Sequence, residues 1–305
     1  MNRKKVSVGS SALKLSQIVL GTWRLLDQQQ SDPLSPTLKL LDHSLELGIS
    51  SFDLADIYGD YRCEELFGQA LKSRPSIRSE IQLISKAGIK LISSSRPEHR
   101  VKHYDTGVQH LTSSVESSLR HLGTEYLDLF LIHRPDPFMD YEESARALKS
   151  LVEQGKVLQV GVSNFLPQQV RALQAHLDIP LVCNQIEISC LHQEAFHDGS
   201  LDQCQELGIQ AMAWSPLGGG AIFSSSGDTT YFEGAKCLKT MAEARGVEAA
   251  QLAIAWLLQH PAQIIPVIGT QKLERLQKLA QSVALEMDRQ EWFEIYEAFN
   301  GKEVP

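Results

Sequence analysis

The stretch Ser51-Phe52-Asp53-Leu54-Ala55-Asp56-Ile57-Tyr58-Gly59 ends a short apolar run with an acid and places a tyrosine five residues later. Alone it fits any strand-to-loop junction. Two later runs make it decisive, because Ile84-Ser85-Lys86 closes the next apolar segment and Leu129-Phe130-Leu131-Ile132-His133 closes the one after. Asp53, Tyr58, Lys86 and His133 therefore stand at the C-terminal ends of three successive candidate strands. In a parallel α/β barrel those ends open onto one mouth, where side chains from different strands converge.

Outward from that stretch, apolar runs rich in β-formers alternate with segments of helical period. Strands are predicted at 17–23, 51–55, 81–86, 126–133, 157–163, 181–187, 209–215 and 264–269. Between them Leu38, Leu41, Leu45 and Leu47 recur at helical spacing, as do Val108, Leu111, Val115, Leu119 and Leu122, and Ala145, Leu148, Leu151 and Val152. Continuous apolar strands suit a parallel sheet buried on both faces. Eight β–α units predict a closed (β/α)8 TIM barrel, α/β in class, formed as one domain over 1–305. No G-x-G-x-x-G follows the first strand, which disfavours the open dinucleotide-binding sheet. Residues 5–15, with Gly9-Ser10-Ser11 in the middle, predict an N-terminal hairpin capping the barrel bottom. Residues 290–300 predict an extra aromatic-rich C-terminal helix ended by Gly301. The eighth unit is preceded by an insertion whose Gly218-Gly219-Gly220 and Ser224-Ser225-Ser226-Gly227 read as non-helical.

Composition narrows the function. A chain of 305 residues with 43% hydrophobic content buries a large core, and a formal net charge of −8 argues against nucleic acid or an anionic membrane as partner. After the basic start Met1-Asn2-Arg3-Lys4-Lys5, residues 6–16 are too polar and broken for a signal-peptide core, and no run is long enough to span a bilayer. The reading is a soluble cytoplasmic protein. Cys63, Cys183, Cys190, Cys204 and Cys237 are odd in number without C-x-x-C spacing, so they read as reduced thiols.

The four strand-end residues make chemical sense together. A tyrosine hydroxyl titrates near 10 in ordinary surroundings, and an ammonium beside it favours the phenolate. Lys86 would lower the Tyr58 pKa in this way, Asp53 would hold Lys86, and His133 would orient a carbonyl oxygen. The plain alternative is an ion pair with an aromatic and a core histidine. After strand seven, Trp214-Ser215-Pro216-Leu217-Gly218-Gly219-Gly220, and after strand eight, Gly269-Thr270-Gln271-Lys272 with Arg275 and Lys278 beyond, fit a phosphate cradle. They fit an ordinary glycine loop and a solvated helix face equally well. Ser163, Asn164, Asn184 and Gln185 suit an uncharged amide ligand at the mouth, or serve as caps and turns. His99, His103, His110, His192 and His197 lack metal-ligand spacing and read as surface histidines.

With these residues in view, the whole chain resembles the aldo-keto reductases, most strongly their bacterial YdhF-like oxidoreductase branch. Phe52-Asp53-Leu54-Ala55-Asp56-Ile57-Tyr58, Ser85-Lys86, Leu131-Ile132-His133, Gly161-Val162-Ser163-Asn164-Phe165 and Asn184-Gln185 carry the resemblance. It implies a catalytic tetrad of Asp53, Tyr58, Lys86 and His133, with Tyr58 as acid/base and NADPH as cofactor. It implies that Ser163, Asn164 and Gln185 hold the carboxamide and that Trp214 stacks on the nicotinamide. Ser215, Leu217, Thr270 and Arg275 would meet the pyrophosphate and 2′-phosphate, with Gly21, Thr22, Trp23, Gly218, Gly269 and Lys272 adding cofactor contacts. The family's frequent basic residue just after strand eight is replaced by Gly269-Thr270, and Lys278-Leu279 stands where a Glu-Asn pair is common.

The implied activity is reduction of a small-molecule aldehyde or ketone, with a monomer preferred. Trp23, Tyr58, His133 and the loops 91–106 and 217–231 are expected to wall the pocket. The chain ends at Pro305 without a long C-terminal loop, which predicts an open, apolar mouth with few polar groups to read a substrate. The alternative is a cofactor-binding regulatory subunit resembling potassium-channel β subunits, which would bind NADPH without steady-state turnover.

Overall fold

The computed structural model describes residues 5–27, 32–223 and 229–305. In chain order the strands are β1 (Lys5–Ser7), β2 (Lys14–Ser16), β3 (Val19–Gly21), β4 (Ser51–Asp53), β5 (Gln82–Ala87), β6 (Ile89–Lys90), β7 (His103–Tyr104), β8 (Leu129–Ile132), β9 (Val160–Ser163), β10 (Leu181–Glu187), β11 (Gln210–Trp214) and β12 (Ile265–Ile268). The helices are α1 (Leu34–Glu46), a single irregular turn α2 (Tyr58–Tyr61), α3 (Cys63–Lys72), α4 (Val108–Leu122), α5 (Tyr141–Glu153), α6 (Pro167–Gln174), α7 (Ser200–Leu207), α8 (Thr229–Ala244), α9 (Ala249–Leu258), α10 (Leu273–Ala280) and α11 (Arg289–Asn300). Strands β3, β4, β5, β8, β9, β10, β11 and β12 close a barrel in which every neighbouring pair is parallel. This is the predicted (β/α)8 barrel, and the expected hairpin and C-terminal helix are both present.

Strand alternation divides the barrel residues between two cores. Ile84, Leu129, Leu131, Met212, Ile265 and Val267 pack inside with Val8 and Leu15, so the β1–β2 hairpin plugs the bottom. Their neighbours Leu83, Phe130, Ile132, Ala211 and Ile268 turn outward into the layer beneath the helices. The alternation carries upward in steps of two from Ile84 to Lys86, from Leu131 to His133 and from Ser51 to Asp53, which brings all three polar residues to the inner mouth.

Several boundaries differ from the expected ones. The first strand ends at Gly21 rather than Trp23, because Thr22 turns away with its N–H and hydroxyl both donating to Asp53 O, at 2.9 and 3.0 Å. Part of the loop 91–106 is a ladder, since β6 and β7 pair antiparallel. Gly218, Gly219 and Gly220 are non-helical as expected, all three at positive φ that glycine accepts, and only the residues after them toward Phe223 turn helically. The serine-rich stretch 224–227 and the basic start 1–4 lie outside the described residues. No helix among the described residues is long and apolar enough to cross a membrane. All five cysteines are free, four of them buried.

Helix α9 is apolar nearly all round and accordingly buried, and α11, which packs along α8, reaches it through a tryptophan. The rings of Trp256 and Trp292 stack at 4.7 Å, and each indole N–H donates to the other residue's carbonyl, at 2.9 and 3.0 Å. Trp256→Ala removes a fully buried ring and leaves the Trp292 carbonyl without its donor. A loss of about 3–5 kcal/mol is expected in urea denaturation. A loss below about 1 kcal/mol would show that α11 does not depend on this contact.

Candidate active site

Asp53 and Lys86 form a buried pair at the ends of β4 and β5, with Lys86 Nζ 2.6 Å from Asp53 Oδ1 and 2.8 Å from Leu54 O. From across the barrel, Gln185 Nε2 donates to the same Asp53 oxygen at 2.8 Å. Burial pulls the Lys86 ammonium below the usual lysine range, and the adjacent Asp53 charge pulls it back. The ammonium lies 5.1 Å from the Tyr58 ring centroid, while the rings of Tyr58 and His133 meet edge-on at 6.0 Å. All four expected residues thus come together.

The Tyr58 expectation needs correction. Burial raises the phenol well above its ordinary value, and the Asp53 charge raises it further. The Lys86 ammonium, 5.1 Å from the ring centroid, does not offset these two effects. Tyr58 therefore rests as the protonated phenol. Burial likewise holds the His133 imidazole well below its ordinary value, with the Lys86 charge adding to the shift, so His133 rests neutral. Its Nδ1 is buried without a protein partner.

Beyond the tetrad, polar groups interlock around the mouth. Asn164, in a left-handed conformation at φ 62°, donates to His133 O at 3.2 Å and Ser163 Oγ at 2.8 Å, and accepts from Trp214 Nε1 at 2.9 Å. Ser163 Oγ donates to Gln185 O at 2.7 Å. Asn184 departs from expectation: its amide donates to Phe165 O at 2.8 Å on the buried outer side, because it alternates with the inward Gln185. Trp23 stacks beside Tyr58 at 6.3 Å and is 61% exposed, so it forms part of the rim.

The predicted phosphate quadrant has the features of an anion site. Ser215 adopts a left-handed φ of 48° before Leu217 and Gly218, whose N–H donates to Ser215 O. Gly269 and Thr270 lead into α10, whose N-terminus has no side-chain cap. Lys272 and Arg275 are exposed on its first turn, and Gln271 Nε2 is a buried donor without a protein partner. An orphaned donor beside uncapped amides and two cations fits a phosphate-bearing cofactor. Lys278 contributes less than expected, because it pairs with Glu248.

Two constellations escaped the sequence reading. Arg134, just past His133, lies with its guanidinium carbon 5.6 Å from the Trp214 ring centroid, and Glu187 stands beside Trp214 with its carboxylate 3.6 Å from His192 Nε2. The mouth is therefore more polar than expected; the signal available was an arginine directly after a strand-end histidine. A cleft of about 330 Å3 is lined by Asp56, Tyr61, Glu64, Arg96, His99 and His110 among others. His99 and His110 are thus not solvated surface groups. His99 Nδ1 bonds Leu91 O at 2.8 Å, and His110 Nε2 is buried.

A (β/α)8 barrel with a buried Asp–Lys pair, a tyrosine and a histidine at its C-terminal mouth has the groups to orient an oxygen and hand it a proton. Comparison with known proteins agrees. Residues 17–299 match the model of the aldo/keto reductase family. The chain is 46% identical to a 6-dehydroglucose reductase of Agrobacterium fabrum, covering 97% of this chain and 98% of that protein. It is 42% identical to oxidoreductase YdhF of Escherichia coli, covering 99% of each. A thermostable aldo-keto reductase, Tm1743, solved with the inhibitor epalrestat, superposes with a TM-score of 0.82 at 25% identity over 97% of this chain and 99% of that one. The chain belongs to the aldo/keto reductase family.

The cleft gives a pH prediction. Burial lowers His110 to about 4 from an ordinary 6.5, with Lys90, His99 and His103 acting in the same sense and Asp105 against it. Between those two values the unfolded chain binds the extra proton, so stability falls as pH drops through that window. His110→Gln should remove this part of the slope in urea midpoints measured from pH 7 to 4. A slope equal to the parent's would assign the window to other groups.

Proposed function

We propose that this chain reduces aldehydes or ketones to alcohols with NADPH, Tyr58 acting as the general acid. The observation that carries the reading is the convergence of Tyr58, His133 and the Asp53–Lys86 pair at one inner mouth. Bound NADPH supplies hydride to the carbonyl carbon. Tyr58, protonated at rest, delivers its proton to the carbonyl oxygen as negative charge develops there. Its raised pKa suits this direction, since it keeps the donor loaded and an alkoxide is far more basic than a phenolate. Lys86 then faces the phenolate as it forms, with Asp53 and Gln185 fixing the ammonium in place. Neutral His133 has one N–H and one acceptor nitrogen for orienting the carbonyl oxygen.

On the cofactor side, Trp214 would offer a ring face for the nicotinamide, and Ser163, Asn164 and Gln185 would hold its carboxamide. Gly21, Thr22 and Trp23 border the same space. Ser215, Leu217, Gly218, Gly269 and Thr270 supply amides and hydroxyls for the pyrophosphate. The exposed Lys272 and Arg275 would meet a 2′-phosphate, which is the reason for preferring NADPH over NADH.

Tyr58→Phe retains the ring and deletes the proton donor. Carbonyl reduction should fall by about 10²–10⁴-fold with NADPH binding intact, as read by steady-state rates and Trp214 fluorescence. Rates within a few-fold of the parent would remove Tyr58 as the acid. Arg275→Ala should weaken NADPH by roughly 10–100-fold in fluorescence titration while leaving NADH nearly unchanged. Equal weakening of both cofactors would exclude a 2′-phosphate role.

A further inference from the structure

The cleft bounded by Asp56, Tyr61, Glu64 and Arg96 is separate from the mouth, since none of Asp53, Tyr58, Lys86 and His133 lines it. Its volume of about 330 Å3 accommodates a small metabolite. Asp56 Oδ1 is buried there without a partner. Glu64, 2% exposed, accepts from Ser85 Oγ at 2.6 Å, and its other oxygen has only the His121 ring at 3.9 Å. Burial raises the Asp56 carboxyl well above its ordinary value, and the Glu64 charge raises it further. A positive group between the two carboxyls would favour ionisation of both.

The same cleft holds two guanidinium groups that those carboxyls do not satisfy. Arg96, half-buried, lies over the Tyr61 ring at 4.9 Å, and Arg120 is exposed; neither forms an ion pair among the described residues. The Arg96 charge acts on Asp56, so the two are near each other without touching. His110 Nε2 is a second buried, orphaned atom on this lining.

Buried polar groups without partners are rare, and two in one cavity point to an occupant that completes them. A metal ion is a poor fit, because no group of three His, Cys, Asp or Glu among the described residues has the geometry to hold one. A simple anion would meet Arg96 favourably and the two carboxyls unfavourably. A simple amine would meet the carboxyls and leave both guanidinium groups unused. A molecule carrying an ammonium and a carboxylate matches both sets, and His110 can donate to it or accept from it.

We propose that this cleft is a binding site for a small zwitterion of the amino-acid type, its ammonium between Asp56 and Glu64 and its carboxylate on Arg96. The site is independent of carbonyl reduction, and its test requires neither cofactor nor aldehyde. Thermal-shift titration of the full chain compares glycine, 4-aminobutyrate and 6-aminohexanoate, zwitterions of increasing charge separation, with butylamine and butyrate, each to about 10 mM.

At least one zwitterion should raise the melting temperature and bind about tenfold or more tightly than either singly charged compound. Asp56→Asn and Arg96→Met should each weaken that zwitterion by about 10–100-fold. Glu64→Gln, which can still accept from Ser85, replaces Asp56→Asn if that variant does not fold. Arg275→Ala, in the phosphate quadrant, should leave the affinity unchanged. No shift with any of the three zwitterions overturns the assignment, as does butylamine or butyrate binding as tightly as the best of them. Weakening by Arg275→Ala without weakening by Arg96→Met moves the ligand to the other quadrant and overturns it too.

Discussion

The buried contact between Lys86 and Asp53 constrains everything around it. Moving a carboxylate and an ammonium out of water costs several kcal/mol per ion, and their attraction offsets this only when the remaining hydrogen-bonding capacity is met. Here it is met from three strands. Leu54 O takes a second ammonium proton, and Gln185 reaches across from β10 to the carboxylate. Removing either charge would strand the other at the barrel's centre, whereas replacing both with apolar residues would cost little stability. The pair therefore fixes geometry more than it adds stability, and what it fixes is an ammonium against the Tyr58 ring.

From that pair the polar groups of the mouth follow as a connected set. Gln185 touches Asp53, Ser163 bonds the Gln185 carbonyl, Asn164 bonds Ser163 and the His133 carbonyl, and Trp214 bonds Asn164. The network crosses strands β4, β8, β9, β10 and β11, so it locks their relative heights as well as their side chains. Asn164 and Ser215 hold left-handed backbone conformations at strand ends, where a non-glycine residue carries local strain. Such strain persists where surrounding structure over-determines the backbone, as this network does at Asn164.

Much of this was legible in the sequence. Eight apolar runs separated by helical periods determine a closed parallel barrel, and alternation along each strand determines which residues face inward. Asp53, Lys86 and His133 were readable because each ends a run in phase with its inward positions, and Tyr58 because it follows Asp53 at short range. The aromatic helix near the C-terminus was readable from its own period and its terminal Gly301.

Other features depend on distances between segments far apart in the chain. The Tyr58 pKa is set by how much protein surrounds the hydroxyl and by how closely the Asp53 charge approaches it, and neither can be read from one stretch of sequence. Arg134, Glu187 and His192 are 53 and 5 positions apart in succession, and only closure of the barrel brings β8, β10 and β11 ends around one ring. His99 and His110 looked solvated because nothing nearby in sequence covers them; the fold of the β6–β7 ladder against α4 does. Sequence by itself determined the barrel and which residues point into it, because strand period is local. Tertiary structure decided their protonation and the polarity of the mouth, because burial and charge proximity are sums over the whole fold.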